Sequence, residues 1–339
     1  MQKQKNTICP ICSSNKYKIL WETNSKVAAQ HYILIEKDPR KFNLLKSHIE
    51  NLWGQNDCKI VECEFCDFCY SDPFVAGDEL FYTIAYNRSS YPSWKWEFQQ
   101  TYDILEKSSK NDLKLIEIGA GDGRFVKRIA SNILKRENIY CTEFSKFGKQ
   151  EIEKSGIKCF NKDFRNFTST DFDEKFDIIC MFQVLEHLDK IDLTFQKLNW
   201  LLKSGGSLFI AVPNSERIEF NELNDALLDM PPNHIGRWNK KSFEIVGKQN
   251  GFRLNDFKVE EFNFIGMSIQ FIHYRMLQKS QKNGSFENRI FQIKNQFLLR
   301  LMQLISFIIN LCIASPILIN KRAWKGNSQW VYFTKIKEI

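Results

Sequence analysis

Three glycines at alternate positions follow an acidic residue, in a pattern suited to holding a ligand against the backbone. Residues 113–130 read LKLIEIGAGDGRFVKRIA, in which Glu117 precedes Gly119, Gly121 and Gly123. Glycine lets the backbone approach a ligand closely, and the helix predicted after the turn begins with N–H groups that have no partner within it. Ligands of open α/β sheets bind at such turns, beyond the carboxyl end of a strand. The stretch therefore predicts a ligand-binding turn between a strand and a helix.

The spacing of these glycines argues against a dinucleotide site and favours a nucleoside. The dinucleotide fingerprint Gly-x-Gly-x-x-Gly would need its third glycine at the position of Arg124. The next two predicted strands end at acids, Glu143 in CTEF and Asp163, with Phe164, in CFNKDFRNF. The first acid can accept the ribose hydroxyls, while the second can take the adenine amino group and the ring can stack on the base. Two alternatives stay open, an exposed strand-end acid for Glu143 and a helix N-cap for Asp163.

A second group of residues able to do chemistry lies near the N-terminus. Two knuckles of the form Cys-x-x-Cys occur in CPIC and CEFCDFC, and together they offer the four thiolates of a tetrahedral zinc site. Clustered cysteines in a chain without a signal peptide favour a metal over disulfides. Four thiolates leave no open position for water, so we expect a structural role. The expected ligands are Cys9, Cys12, Cys63 and Cys66.

Two features of this cysteine segment stay open. Cys69 or Cys58 could replace one of the four ligands, because the second knuckle can be read in two ways. The 50 residues between the knuckles exceed the spacing of a compact zinc ribbon. We therefore expect residues 24–57 to loop out of the zinc site and to contain a helix.

The bulk composition is that of an ordinary globular protein. The chain has 339 residues, 43% hydrophobic and 26% charged, which allows two domains or one large domain with an appendage. Its net charge of +8 comes from scattered lysines, so the sequence does not indicate nucleic acid as a partner. The N-terminus has no apolar run of signal-peptide length, and we expect a cytoplasmic protein.

Strand and helix patterns alternate from residue 113 to about residue 261, which predicts βαβ units and a doubly wound, mostly parallel sheet. A further alternating run, SQWVYFTKIK, predicts one more strand near the C-terminus. The predicted organisation is a zinc-binding segment at 1–75, an α/β core at 76–262, a helical insertion at 263–325 and the last core strand at 326–339.

Taken together, these stretches resemble the class I S-adenosylmethionine-dependent methyltransferases. TEFSKFGKQEIEKSGIKCFNKD resembles the second and third strand regions of that family, and FDIICMFQVLEHLDKIDLTFQKLNWLLKSGGSLFIAVPN resembles the fourth and fifth. The resemblance covers roughly residues 58–262 and 328–336. It implies a seven-stranded Rossmann-like sheet whose last strand is antiparallel. Some methyltransferases also carry an N-terminal zinc segment, which CEFCDFCYSDP resembles when Cys63 and Cys66 are ligands.

The resemblance also implies a role for each strand-end residue. Glu117 and the glycines would face the methionine part of S-adenosylmethionine, Glu143 the ribose and Asp163 the adenine. Gln183 would lie near the sulfonium, with a core amide as its alternative. The expected cofactor contacts are Glu117, Gly119, Ala120, Gly121, Gly123, Glu143, Phe144, Asp163, Phe164 and Gln183.

Two histidines are candidates for the catalytic base. A hydroxyl acceptor must lose its proton as the methyl group transfers in line, and imidazole is the usual base near neutral pH. His187 follows Glu186 after the fourth strand of the sheet, and His234 lies in the loop DMPPNHIGRW. The alternative for His187 is a structural residue at a helix start. The expected reaction is O- or C-methylation of a small molecule, sugar or glycan.

An apolar stretch near the C-terminus has almost the length of a membrane span. Residues 297–320 read FLLRLMQLISFIINLCIASPILIN, with 20 uncharged residues between Arg300 and Lys321. If the strands predicted on either side pair in one sheet, a single crossing is impossible. We expect a helix that packs on protein as a lid or a homodimer surface. The alternative is peripheral contact of residues 297–325 with a membrane.

Two rival functions stay open at this point. One is an NAD-dependent oxidoreductase on a similar sheet, which Arg124 disfavours. The other is an RNA-binding or RNA-modifying protein that uses the cysteine knuckles, although lysines do not cluster with aromatic residues as a single-strand platform requires. A non-catalytic relative is disfavoured because Glu117, Glu143 and the glycines are intact.

Overall fold

The computed structural model describes residues 7–86, 94–108, 112–320 and 324–339. The strands among them are β1 Tyr17–Asn24, β2 Asp57–Cys63, β3 Cys69–Asp72, β4 Leu115–Ile118, β5 Ile139–Thr142, β6 Lys158–Phe160, β7 Phe176–Phe182, β8 Leu202–Pro213, β9 Gly236–Arg237, β10 Phe252–Val259 and β11 Ser328–Lys335. The α-helices are α1 Ser25–Tyr32, α2 Pro39–Trp53, α3 Glu79–Ala85, α4 Trp96–Lys107, α5 Arg124–Asn132, α6 Lys146–Glu153, α7 Ile191–Leu201, α8 Ser215–Leu223, α9 Lys240–Gln249, α10 Phe264–Ser280, α11 Phe286–Phe291 and α12 Gln296–Ile319.

The larger sheet has seven strands in the order β10-β11-β8-β7-β4-β5-β6. Strands β4 to β8 pair in parallel, whereas β11 runs antiparallel to both β8 and β10. The central strands are mostly apolar because helices cover both faces of the sheet. This architecture confirms the predicted Rossmann-like sheet with an antiparallel last strand. It also places the ends of β4, β5, β6 and β7, and the residues that follow them, at one edge.

The smaller sheet joins the cysteine segment to the core. Its order is β1-β2-β3-β9, and β9 belongs to the loop that carries His234. One buried apolar cluster contains Phe68 from the cysteine segment together with Trp238 and Phe243. The two regions on either side of residue 75 therefore share a core. Between β1 and β2 the chain forms two helices, α1 and α2, where the sequence predicted one.

The insertion between β10 and β11 consists of α10, α11 and α12. Helix α12 is the one described helix that is long and apolar enough to cross a membrane by length and composition. Only 22% of its most apolar window is buried. Only a narrow stripe of this helix therefore packs against the rest of the protein, as the sequence predicted for the whole segment.

Candidate active site

The glycine turn between β4 and α5 has the left-handed geometry that its sequence predicts. The φ angles are 72° at Gly119, 59° at Gly121 and 77° at Gly123. Backbone N–H groups of Gly119 and Ala120 both donate to the carbonyl of Thr142 at 3.0 Å, which ties the turn to the end of β5. Side chains other than glycine are strained at such φ angles. Few other residues can therefore replace these three glycines without straining the backbone.

Glu117 places an unpaired carboxylate oxygen under this turn. Its side chain is 2% exposed, and Oε2 has no hydrogen-bond partner among the described residues. Burial raises the pKa of Glu117 to about 8, although the positive charge of Lys95 acts in the opposite direction. A buried acceptor without a donor is unfavourable unless a ligand supplies one. A cationic amino group is the kind of donor that this carboxylate would bind most strongly.

Glu143 closes the turn from the next strand. Its Oε2 accepts a hydrogen bond from the N–H of Gly121 at 2.8 Å, and its Oε1 accepts one from Ser145 at 2.7 Å. A Cβ added at Gly148 would lie 2.3 Å from the carbonyl oxygen of Gly121, so α6 approaches the turn closely. Each carboxylate oxygen keeps a lone pair for a ribose hydroxyl. Phe144, the next residue, is 66% exposed, so its ring is accessible to a ligand.

Asp163 and Phe164 are arranged differently from the adenine site that the sequence predicted. Asp163 caps the short 3₁₀-helix Phe164–Asn166, and its carboxylate is 2.7 Å from the guanidinium of Arg165, as in the N-cap alternative. Phe164 is 3% exposed and belongs to the hydrophobic core, so its ring faces no open cleft. Phe144, which directly follows Glu143, is exposed instead. The stacking role predicted for Phe164 is therefore corrected.

Gln183 lies in the turn after β7, which abuts the glycine turn. Its Nε2 donates to Glu97 at 3.1 Å and to Ser328 at 2.8 Å, so this amide nitrogen has partners within the protein. A Cβ added at Gly119 would lie 2.5 Å from Cγ2 of Val184. The segment after β7 therefore borders the predicted cofactor turn directly.

The same segment carries His187. The fold brings it together with His234, which is distant in the sequence. The rings of His187 and His234 are edge to face, with centroids 4.7 Å apart. Nδ1 of His187 donates to the carbonyl of Asn233 at 2.7 Å. Nδ1 of His234 is hydrogen-bonded to a carboxylate oxygen of Asp229. An imidazole whose Nδ1 is held by a carboxylate keeps Nε2 free to accept a proton.

Buried acidic side chains next to His187 and His234 affect the protonation of His234. Burial lowers the pKa of His234, but the negative charges of Asp229 and Glu186 outweigh it and raise the pKa above its usual value. Burial raises the pKa of Glu186 to about 7, and its Oε2 has no hydrogen-bond partner among the described residues. One ligand atom from each of Glu186, His187 and His234 lies within 4.8 Å of the other two. The group can therefore transfer a proton, or hold a divalent cation.

Sequence reasoning missed Asp229 and the buried role of Glu186. Asp229 stands five residues before His234 in DMPPNHIGRW, and Glu186 stands directly before His187. Acids this close in sequence to candidate bases were a usable signal. No spacing rule indicated that His187 and His234 would meet, because the loop after α8 folds back through a backbone hydrogen bond from Ile235 to Glu186 at 2.9 Å.

The four predicted thiol ligands also meet. Sγ atoms of Cys9 and Cys66 are 3.5 Å apart, as are those of Cys12 and Cys63, and all four lie within 4.8 Å of one another. The N–H of Phe65 donates to Sγ of Cys63 at 3.4 Å, as expected where a sulfur carries negative charge. The other two candidates lie elsewhere, with Sγ of Cys69 3.7 Å from the carboxylate of Glu62 and Cys58 buried beside Lys59. Four clustered thiols are the donor set that zinc prefers.

Comparison with known proteins relates part of the chain to a sequence family. Residues 93–256 match the sequence family described as methyltransferase domain. The mitochondrial ubiquinone biosynthesis O-methyltransferase of Dictyostelium discoideum is 23% identical over 184 residues, which are 47% of this chain and 57% of that protein. The chain thus spans little more than half the length of this curated relative.

Solved structures similar to the chain include two methyltransferases. Coclaurine N-methyltransferase bound to N-methylheliamine and S-adenosylhomocysteine has a TM-score of 0.44 and 12% identity, over 74% of this chain and 76% of that one. An S-adenosylmethionine-dependent methyltransferase from Archaeoglobus fulgidus has a TM-score of 0.43 and 15% identity, over 70% and 94% of the two chains.

The sheet order and the sequence match agree on one family. Residues 93–256 contain the glycine turn, both histidines and five parallel strands of the larger sheet. Residues 93–256 of the chain therefore form a methyltransferase domain on a Rossmann-like sheet.

Proposed function

We propose that the protein transfers the methyl group of S-adenosylmethionine to a hydroxyl of a small-molecule or sugar acceptor. The observation that carries this proposal is the buried Asp229–His234 pair beside the segment after β7, which abuts the glycine turn. An amine acceptor would need little help from a base, whereas a hydroxyl must lose its proton during transfer. A carbon acceptor, the other class that the sequence left open, would use the same base on an acidic C–H group.

The chain's own residues divide the work of binding and proton transfer. When bound, S-adenosylmethionine supplies an electrophilic methyl group on a sulfonium. Glu117 would bind the amino group of its methionine part, and Glu143 would accept the ribose hydroxyls. Asp229 holds the Nδ1 proton of His234, so Nε2 takes the acceptor's proton, and the imidazolium formed is stabilised by Asp229 and Glu186.

We further propose that the four cysteines hold a structural zinc ion that supports the acceptor loop. Strand β3 begins at Cys69, three residues after Cys66 of the second knuckle, and pairs with β9. The N–H of Ser71 donates to the carbonyl of Ile235 at 2.9 Å, one residue from His234. A rigid knuckle would therefore fix the position of the base through these pairings. Thiolate ligands of this kind persist in a reducing compartment, in keeping with a cytoplasmic location.

The test of the proposed reaction is a transfer assay with matched histidine variants. The protein is incubated with methyl-labelled S-adenosylmethionine and a metabolite and glycan extract of the source cell, and labelled products are found by mass analysis. His234→Gln should bind the cofactor as the wild type does but lose transfer by roughly 10²-fold or more. His273→Gln is the control, because this exposed histidine lies on the insertion helix α10. Unchanged transfer by His234→Gln would contradict the assignment of the base.

The same assay separates proton transfer from metal binding at the histidines. If His234 is the base, transfer should survive removal of loosely held divalent cations by a chelator, with the four-cysteine zinc retained. Transfer that needs an added cation and disappears with the chelator would assign Glu186, His187 and His234 to a metal instead. A thermal shift with reduced nicotinamide and none with S-adenosylhomocysteine would revive the oxidoreductase alternative.

A further inference from the structure

Helix α12 presents apolar side chains to solvent over most of its surface. Its buried residues are only Ser306, Asn310, Ala314 and Leu318, which recur at every fourth position. The large exposed apolar residues on this helix are Phe297, Leu298, Leu301, Leu304, Ile305, Ile308, Ile309, Leu311, Ile313 and Ile319. A continuous exposed apolar surface of this kind marks an interaction site, in contrast to single exposed leucines.

Two polar side chains near the middle of this helix, Ser306 and Asn310, are buried against the protein. The carboxylate of Glu287, which is 7% exposed, accepts hydrogen bonds from Asn310 at 3.0 Å and from Ser306 at 3.3 Å. Lys279 donates to the side-chain oxygen of Asn310 at 2.7 Å. A helix on a water-exposed surface has the opposite arrangement, with its apolar stripe inward. The helix is therefore arranged for an apolar medium outside the protein.

The width of the apolar surface distinguishes a fluid medium from a protein partner. At about 100° per residue, the exposed apolar positions span an arc of roughly 200°. One partner helix covers a stripe of roughly 100°. A second copy packed against α12 would therefore leave about half of the apolar arc in water, whereas acyl chains can cover all of it.

Charges and aromatic rings around the helix match a membrane surface. No acidic residue occurs between Glu287 and Glu338, although this stretch contains several cations. Lys294 and Arg300 are exposed at the start of α12. Trp324, beyond its other end, is 46% exposed and stacks on Phe262 at a centroid distance of 6.3 Å. Cations attract anionic headgroups, and tryptophan favours the interface between headgroups and acyl chains.

We propose that α12 lies in the interface of an anionic phospholipid membrane, parallel to its surface, with the α/β core outside. The flanking strands β10 and β11 pair in one sheet, so α12 cannot cross the bilayer alone. The apolar surface continues onto α10, where Phe264 and Ile265 are 50% and 72% exposed. This proposal does not depend on the acceptor or on the catalytic base.

The test is flotation of the full-length chain with lipid vesicles. Wild type should float with phosphatidylcholine vesicles that contain phosphatidylglycerol, and less with phosphatidylcholine alone. The triple variant Leu301→Gln/Leu304→Gln/Ile308→Gln should bind more weakly by on the order of 100-fold, because three apolar side chains no longer enter the acyl boundary. Its cofactor affinity should be unchanged. The control Leu44→Gln/Leu193→Gln removes exposed leucines from α2 and α7 and should float as wild type does.

A second readout does not depend on how the variants fold. Cys312 is the exposed cysteine on α12, and it takes an environment-sensitive fluorophore. Its emission should shift to the blue on anionic vesicles and stay unchanged in buffer. The proposal is overturned if wild type floats with neither vesicle and the probe shows no shift. It is also overturned if sedimentation shows a dimer that the triple variant breaks into monomers without any change in vesicle binding.

Discussion

The buried acid Glu117 should make cofactor affinity depend on pH. Its ligand-free pKa of about 8 means that at pH 6 only about 1% of the chains carry the ionised carboxylate. A cationic amino group binds the ionised form, so each molecule of cofactor that binds below this pKa releases a proton. The dissociation constant of S-adenosylhomocysteine should therefore rise about tenfold per pH unit below the pKa, approaching 100-fold from pH 7.5 to pH 5.5.

Isothermal titration calorimetry measures this directly. Titrations between pH 5.5 and 7.5, in buffers with different ionisation enthalpies, give both the dissociation constant and the number of protons released. The lower part of this range, below about pH 6.5, lies clear of the titration of the ligand's own amino group. Glu117→Gln should bind weakly at every pH, with no slope and no proton release. Glu186→Gln is the matched control, since it removes another buried carboxyl whose pKa is raised to about 7 and should keep the slope.

Glu117 should also make the free energy of unfolding of the ligand-free chain depend on pH. A folded pKa of Glu117 above its ordinary value means that the folded state holds more protons than the unfolded state between about pH 4.5 and 8. The free energy of unfolding should therefore fall as pH rises through this range, and Glu117→Gln should reduce the fall.

A cofactor affinity that is flat from pH 5.5 to 7.5, with no proton release in the wild type, would refute the assignment of Glu117 to the ligand's cationic group.

Four further substitutions test the rest of the site. Gly121→Val should abolish cofactor binding in calorimetry, because φ is 59° there, and leave the zinc content unchanged; loss of both would mean that the turn and the cysteine segment unfold together. Asp229→Asn should lower kcat by roughly 10²-fold and move the acidic limb of the pH profile to lower pH, because the acid raises the pKa of His234; an unmoved limb would contradict the pairing. Elemental analysis should show that Cys63→Ser has lost its zinc, and its melting temperature should be lower than that of the wild type. Cys69→Ser should keep the metal. Equal loss of zinc in both variants would place Cys69 among the ligands.

The sequence predicted most of what lies along the central strands. β7 was predictable because five apolar residues in a row, IICMF, end the stretch FDIICMF, as in strands covered on both faces. The glycine turn was predictable because left-handed backbone at alternate positions restricts the choice of residue. The antiparallel last strand followed from the family resemblance and the alternating pattern of SQWVYFTKIK. In these elements, local pattern and tertiary packing favour the same conformation.

The remaining features depend on contacts between distant parts of the chain. Phe144 and Phe164 each follow a strand-end acid directly, yet only the first is exposed, because the second packs in the hydrophobic core. Asp229 and His187 become neighbours of His234 through a loop whose path no periodicity indicates. In α12, Ser306 and Asn310 interrupt a run of apolar residues in the sequence. Their contacts with Glu287 give them a different role, which only the packing of α12 against α11 reveals.

A crystal structure of the chain with S-adenosylhomocysteine tests the central claim most directly. The account predicts density for the ligand over the glycine turn, with its ribose hydroxyls on the carboxylate of Glu143 and its amino group within hydrogen-bond distance of Glu117. Density at another site, or a Glu143 side chain directed into bulk solvent with the ligand bound, would contradict it.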